Sequence, residues 1–246
     1  MLERIALLSD IHGNRPALEA VLADLGRREV GRIFNLGDIL YGPLDPAGCY
    51  ELLSSCSLPM LHIRGNGDRL LYETAGAPSP TVGYCRGVLP AAALAWLESL
   101  PFQRREGDVY ACHGSPRSDT EYLLEEMEER GGTLRPAEDL AAMLYGLGEC
   151  SLVLCGHSHL SRVVNSGGQL IVNPGSVGLP AYADDAPRPH KMEAGSPHAR
   201  YAIVERRARG WEAELYCLEY DWEKAAALAD DNGRPDWGAA LRGGRA

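Results

Sequence analysis

Three times in its first 68 residues the chain runs an apolar stretch into a short polar loop. "RIALLS" stops at "DIHGN", "RIFNL" at "GD", and "PMLHI" at "RGNGD". The segments between them have helical character. After the first loop Leu18, Val21, Leu22 and Leu25 recur at i, i+3, i+4 and i+7, with Pro16 near the first helical position. Asp45 to Ser55 reads as a second helix. Repeated strand, loop and helix argue for an α/β fold with a largely parallel sheet.

Further along, residues 74 to 89 are rich in Gly, Pro and Ser and read as a long surface loop, followed by a helix from Pro90 to Leu100. "FQRRE" and "VYACHG" suggest a hairpin around Gly107 and Asp108. Helical segments are expected at about 119 to 130 and 136 to 147, with the acidic run "EEMEER" as a solvated helix face. Then come the strands "SLVLC", "SRVVN" and "QLIVN", and a final hairpin around Gly210. The second half is richer in antiparallel strands, so two sheets packed face to face with helices outside is the expected architecture. With 246 residues and 45% hydrophobic content, one domain suffices. It is expected over 1 to 230, with 181 to 199 an insertion-like loop and 231 to 246 a loosely ordered tail.

The formal net charge of -10 disfavours duplex nucleic acid and anionic membranes as partners, so an anionic substrate must be attracted locally. The N-terminus has no signal-peptide pattern, and no apolar run approaches membrane-spanning length. Seven scattered cysteines without a C-x-x-C pair argue against a disulfide framework and for a reducing cytoplasm. Cys112 and Cys155 read as small core residues.

Five polar clusters share one place, immediately after an apolar strand: Asp10 with His12, Asp38, Asn66 with Asp68, His113, and His157 with His159. Ligand sites of open α/β sheets assemble at the carboxyl ends of strands, so the five can converge. Residues i and i+2 of an extended chain point the same way, which would deliver Asp10 with His12, and His157 with His159, to one site. Glycines at 13, 37, 65, 114 and 156 allow tight turns and close approach.

Two carboxylates, one amide oxygen and four imidazoles suit Mn, Fe or Zn rather than an all-oxygen Ca site. Seven donors exceed one tetrahedral zinc but suit two ions roughly 3.5 to 4 Å apart that share a carboxylate. With a bridging hydroxide, such a centre keeps a local charge of about +1, enough to attract phosphate to an acidic protein.

The ordered set D-x-H, G-D, G-N-x-[D/E], H and G-H-x-H, with "NPGSVGLP" after it, resembles the calcineurin-like metallophosphoesterase superfamily, in its small bacterial and archaeal phosphodiesterase-like branch. The resemblance runs from Ile5 to about Val204. It implies a four-layer αββα sandwich of two mixed sheets flanked by helices. It implies that Asp10, His12 and His159 bind one metal ion and Asn66, His113 and His157 another, with Asp38 bridging. Mn is the first expectation, with Zn, Fe or Ni as alternatives. The implied activity is hydrolysis of phosphodiesters or small nucleotide-like substrates, by in-line attack of a metal-bridging hydroxide. Asp38 and Asn66 would be the residues nearest the chemistry. A protein or phosphomonoester phosphatase is the alternative enzyme. A non-catalytic scaffold, like the retromer subunit of this fold, is the alternative of another class. No G-x-S-x-G, P-loop, G-x-G-x-x-G or H-E-x-x-H motif competes.

One position departs from the family pattern: Gly67 stands where many members carry a proton-donating histidine. General-acid help is worth ~10²- to 10⁴-fold, so either the leaving group is stable or the proton comes from His190, His198, Tyr41 or Arg64. Gly67→His is accordingly expected to speed poor leaving groups. His62 reads as a packed, hydrogen-bonded core histidine and Asn14 as a helix N-cap. Asp68 reads either as a carboxylate orienting a metal histidine or as a turn stabiliser. Asn173 and Ser176 read as turn-shaping residues.

Overall fold

Along β1 (Arg4–Leu8) successive side chains serve two different cores, Ile5 and Leu7 facing one and Ala6 and Leu8 the other. That alternation sets the layering of the computed structural model, which describes residues 3–74, 77–128 and 131–246. The chain continues through α1 (Arg15–Leu25), β2 (Arg32–Asn35), α2 (Pro46–Ser55), β3 (Met60–His62), α3 (Asn66–Tyr72), α4 (Pro80–Val88) and α5 (Ala91–Ser99). Next come β4 (Gln103–Glu106), β5 (Val109–Cys112), β6 (Glu125–Glu128), β7 (Gly131–Leu134), α6 (Ala137–Met143), β8 (Leu152–Leu154), β9 (Arg162–Ser166) and β10 (Gln169–Asn173). It closes with β11 (Ala181–Asp184), β12 (His190–Glu193), β13 (Ala199–Arg207), β14 (Gly210–Leu218), α7 (Trp222–Asp231) and α8 (Pro235–Gly243).

Two five-stranded mixed sheets result, ordered β14-β13-β1-β2-β3 and β4-β5-β8-β10-β9. Each has three parallel strands, β1-β2-β3 or β5-β8-β10, flanked by antiparallel ones. Ile5, Leu7 and Phe34 meet Val109, Leu152 and Leu154 between the sheets. Ala6, Leu8 and Ile33 turn outward onto Leu18 and Val21 of α1 and Cys49 of α2, while Tyr110, Val153 and Ile171 cover Leu140 and Met143 of α6. The four layers follow from these three apolar fillings, and the parallel strands leave their polar loops at one end.

Four segments differ from the sequence reading. Within the expected loop 74 to 89, of which Ala75 and Gly76 lie outside the described residues, α4 forms because Ser79 caps it, its hydroxyl accepting from Val82 N–H, and Val82 and Cys85 are buried. The expected helix at 119 to 130 is instead β6, paired antiparallel with β7. Glu129 and Arg130 of "EEMEER" lie outside the described residues. Alternate side chains are solvated: Glu128 is exposed, but Glu125 is buried beside Arg162, and burial pushes its carboxyl up to about 7. The insertion-like loop contains the β11–β12 hairpin, which buries Ala181, His190 and Met192. The tail expected to be loose carries α8, which lays Trp237, Ala240 and Leu241 on Ala225, Ala226 and Ala229 of α7. That contact uses alanines, which carry little periodic signal, and neither helix stood out in the sequence.

Because Leu241 is fully buried, Leu241→Ala should cost about 2–5 kcal/mol in denaturant unfolding. A cost below about 0.5 kcal/mol, the range of a surface substitution, would contradict the packed C-terminal helix.

Candidate metal centre

The loops after β1 and β2 are bonded to each other through their backbones, as are those after β5 and β8, while the loop after β3 is tied to that after β2 through the Asp38 and Asp68 carboxylates. Asp10 N–H donates to Gly37 O at 2.9 Å, His12 N–H to Asp38 O at 2.9 Å, and Gly156 N–H to His113 O at 2.7 Å. Gly37 and Gly65 allow the closest crossing: a Cβ on Gly37 would overlap the Gly65 backbone, and one on Gly65 the Asp38 carboxylate.

Asp10, His12, Asp38, His157 and His159 all have left-handed backbones, with φ of 54°, 52°, 51°, 68° and 59°. The expectation that an extended chain aims i and i+2 together is therefore corrected; left-handed turns do the aiming. Among the described residues only Glu29 shares this conformation without being glycine. Such residues cost of order 1–3 kcal/mol each and persist where the surroundings dictate them. Here the "NPGSVG" segment holds the loops of Asp10 and of His157 and His159. Ser176 Oγ donates to Asp10 O at 2.8 Å and accepts from Leu179 N–H at 2.8 Å, while the Asn173 amide donates to Gly156 O at 2.8 Å and Ser158 Oγ at 3.0 Å. These residues brace the ligand-bearing loops rather than only shaping a turn.

Each of the four histidines has one ring nitrogen on a backbone carbonyl. His12 Nδ1 donates to Tyr41 O (2.7 Å), His113 Nδ1 to Leu36 O (2.7 Å), His159 Nδ1 to Leu179 O (2.6 Å) and His157 Nε2 to Thr120 O (3.2 Å). A carbonyl can only accept, so the other nitrogen of each neutral ring presents a lone pair. The Nε2 atoms of His12 and His159 face each other at 3.1 Å, and His113 Nε2 faces Asn66 Oδ1 at 3.1 Å. Burial lowers the pKa of His12, which disfavours a proton between the first pair. Asp10 Oδ1 is buried without a hydrogen-bond partner, 3.3 Å from His159 Nε2 and 3.9 Å from both His12 Nε2 and His113 Nε2. Asp38 divides its oxygens, Oδ2 lying 3.8 Å from His12 Nε2 and Oδ1 3.6 Å from His113 Nε2. Acceptors turned on acceptors in a buried place fit cations.

The donors gather in two triads, Asp10–His12–His159 and Asp10–Asp38–His113, each with its donor atoms within 4.8 Å of one another. Asp10 belongs to both, whereas the resemblance reserves the shared place for Asp38. His157 is in neither triad; its ring lies 5.1 Å from that of His113, and burial pushes its pKa down to about 4.

Residues behind the centre were less legible. Asp68 accepts from the N–H groups of Ile39 (2.9 Å), Leu40 (3.0 Å) and Gly65 (3.2 Å), so of its two readings the turn stabiliser is the one observed. Burial and the neighbouring Asp38 raise its pKa to about 7. Tyr122 stacks on His157 at 4.6 Å, and its hydroxyl lies between Tyr182 Oη (2.8 Å) and His190 Nε2 (2.9 Å). His190 thus sits behind the centre. His198 packs on Trp222, and Arg64 binds Leu100 O. Of the four expected proton donors, only Tyr41 lines the cavity of about 550 Å3 that opens onto His12, Asp38, Asn66 and His159. A Cβ on Gly67 would lie 2.8 Å from Cβ and Cγ of Tyr41, so the benefit expected of Gly67→His is sterically blocked. Asn14 caps α1 as expected, accepting from Ala17 N–H. His62 lies edge-on to Trp96, but its buried Nδ1 lacks the expected hydrogen bond.

Two mixed sheets with an Asp/His centre at their strand ends define a class of metal-binding α/β protein. The calcineurin-like phosphoesterase superfamily domain matches residues 4–190, and the chain belongs to that superfamily of metal-dependent hydrolases. An uncharacterized protein of Methanocaldococcus jannaschii is 28% identical, across 95% of this chain and 94% of its own. The crystal structure of a metallophosphoesterase from Sphaerobacter thermophilus is 29% identical with a TM-score of 0.76, covering 99% of this chain and 100% of its own. A hypothetical protein from Pyrococcus horikoshii, 20% identical over 98% of each chain, shares the fold with a TM-score of 0.73.

Asp68→Asn puts an NH2 group against backbone donors and frees the Asp38 loop. Calorimetric titration with Mn2+ should show affinity reduced about 10- to 100-fold. An unchanged affinity would mean that Asp68 does not position Asp38.

Proposed function

We propose that the chain is a phosphoesterase with a two-ion centre, hydrolysing phosphodiesters or small nucleotide-like esters. Asp10, His12 and His159 would hold one ion, Asn66, His113 and His157 the other, and Asp38 would serve both. The facing His12 and His159 lone pairs carry this reading, because a buried contact of that kind calls for a cation. When bound, divalent ions of the Mn, Zn, Fe or Ni type supply Lewis acidity to a phosphoryl group and lower the pKa of water.

The chain's own residues supply orientation and proton traffic. The carbonyls of Tyr41, Leu36, Leu179 and Thr120 fix the ring tautomers, so four lone pairs are aimed before substrate arrives. The Tyr41 hydroxyl, whose pKa burial raises, stays protonated at neutral pH beside the Ser79 and Thr81 side chains, and from there it would have to turn into the cavity to give its proton to the leaving oxygen.

Bis-p-nitrophenyl phosphate should be hydrolysed with Mn2+ or Ni2+ faster than p-nitrophenyl phosphate, and Asp38→Asn should abolish turnover and weaken both ion sites. No turnover of either ester with any divalent ion would overturn the reading, and preference for the monoester its diester form. Tyr41→Phe should slow alkyl esters at least ~10-fold more than nitrophenyl esters. Equal slowing of both would remove Tyr41 as the donor.

A further inference from the structure

The cavity that opens on the metal-type residues continues along a wall supplied by β11 and α8, and α8 lies beyond the 4–190 span matched by the superfamily domain. Trp237 of α8 stands edge-on to the His12 ring at 5.5 Å, and Tyr182 of β11 edge-on to His159 at 4.5 Å. Tyr41 completes this aromatic frame, 6.4 Å from Trp237, in the space that a side chain at position 67 would need. Behind the rings, Leu179, Ala181 and Ala240 belong to one apolar cluster with Trp237.

Resting on the phosphoesterase reading, we propose that this wall is the pocket for the group esterified to phosphate, and that the group is a planar aromatic ring, an aryl or nucleobase-bearing alcohol. Rings met edge to face gain from the aromatic quadrupole as well as from burial. The rim disfavours a second highly charged group: Arg234 is held in a fork by Asp236 at 2.9 and 2.6 Å, and Arg245 shares the rim with Asp184. The volume, about 550 Å3, suits one phosphoryl group with one or two rings and not a duplex or a folded protein surface.

Phenylphosphonate and methylphosphonate test this without turnover, since their C–P bonds are not esters. In calorimetry on the Mn2+-loaded protein the phenyl compound should bind ~10-fold or more tighter. Trp237→Leu should bring that ratio below ~3. Ala239→Trp, an exposed position on the same wall, should reverse it by filling the pocket, and it keeps the test open should W237L fail to fold. Equal binding of the two phosphonates by the unaltered protein, or an undiminished ratio in the folded variants, would overturn the pocket and leave the phosphoesterase reading standing. Failure of both phosphonates to bind protein shown to hold Mn2+ would overturn that reading and the pocket with it.

Discussion

Two imidazole lone pairs held 3.1 Å apart in a buried place, Nε2 of His12 and His159, are the contact to which the rest of the structure answers. Without a cation the pair is unfavourable, and either ring would relieve it by turning if free to do so. Neither is free. Each Nδ1–H is committed to a carbonyl, and the Leu179 carbonyl belongs to a residue whose own N–H is held by Ser176. The same serine grips the Asp10 carbonyl, so one hydroxyl ties the two ends of the first triad. Five left-handed residues, at of order 1–3 kcal/mol each, are tolerable because the loops carrying them leave sheets whose inner faces are locked together by Ile5, Leu7, Phe34, Leu152 and Leu154. The apolar core thus sets the strand ends, and the strand ends set the strain.

What could be read in advance follows from this division. The strands were legible because apolar runs stopping at polar loops are a periodic signal, and Asp10, His12, Asp38, His113 and His159, which gather in the two triads, because they fall at those stops. The backbone that aims them was not, since nothing in "SDIHGN" marks Asp10 and His12 as left-handed while Gly13 supplies an obvious turn. Local composition misled at 80–88, where Gly and Pro hid Val82 and Cys85 one helical turn apart behind a Ser-Pro start. At Glu125 a charge run hid a strand that buries a carboxylate and pairs with β7. The roles of Tyr122 and Trp237 depend wholly on packing between distant segments and left no local trace.

The C-terminal segments show how a shared core is completed by parts outside the span matched by the superfamily domain. β13 and β14 fill the edge of the first sheet, and β13 pairs along the length of β1, the strand that ends at Asp10. α7 then covers α1, and α8 returns Trp237 to His12. Any slackening of this return would be felt at the first triad through an aromatic contact rather than through a ligand bond. On a chain of net charge -10, the cavity lining sets Arg234 and Arg245 beside Asp184 and Asp236.

Gly67 and Tyr41 carry the same logic to a pair of residues. The absence of a side chain at 67 looks, in sequence, like the loss of a catalytic group. In space it is one half of an exchange, because the Tyr41 ring occupies the volume a β-carbon would need, and the Gly67 N–H donates to Asp38 Oδ1 at 2.8 Å. Restoring an imidazole there would push on the ring beside it and on the Asp38 carboxylate of the second triad, so the substitution cannot be judged alone. A histidine at 67 requires a small residue at 41, and a tyrosine at 41 requires glycine at 67. The two positions form one steric unit 26 residues apart in the chain.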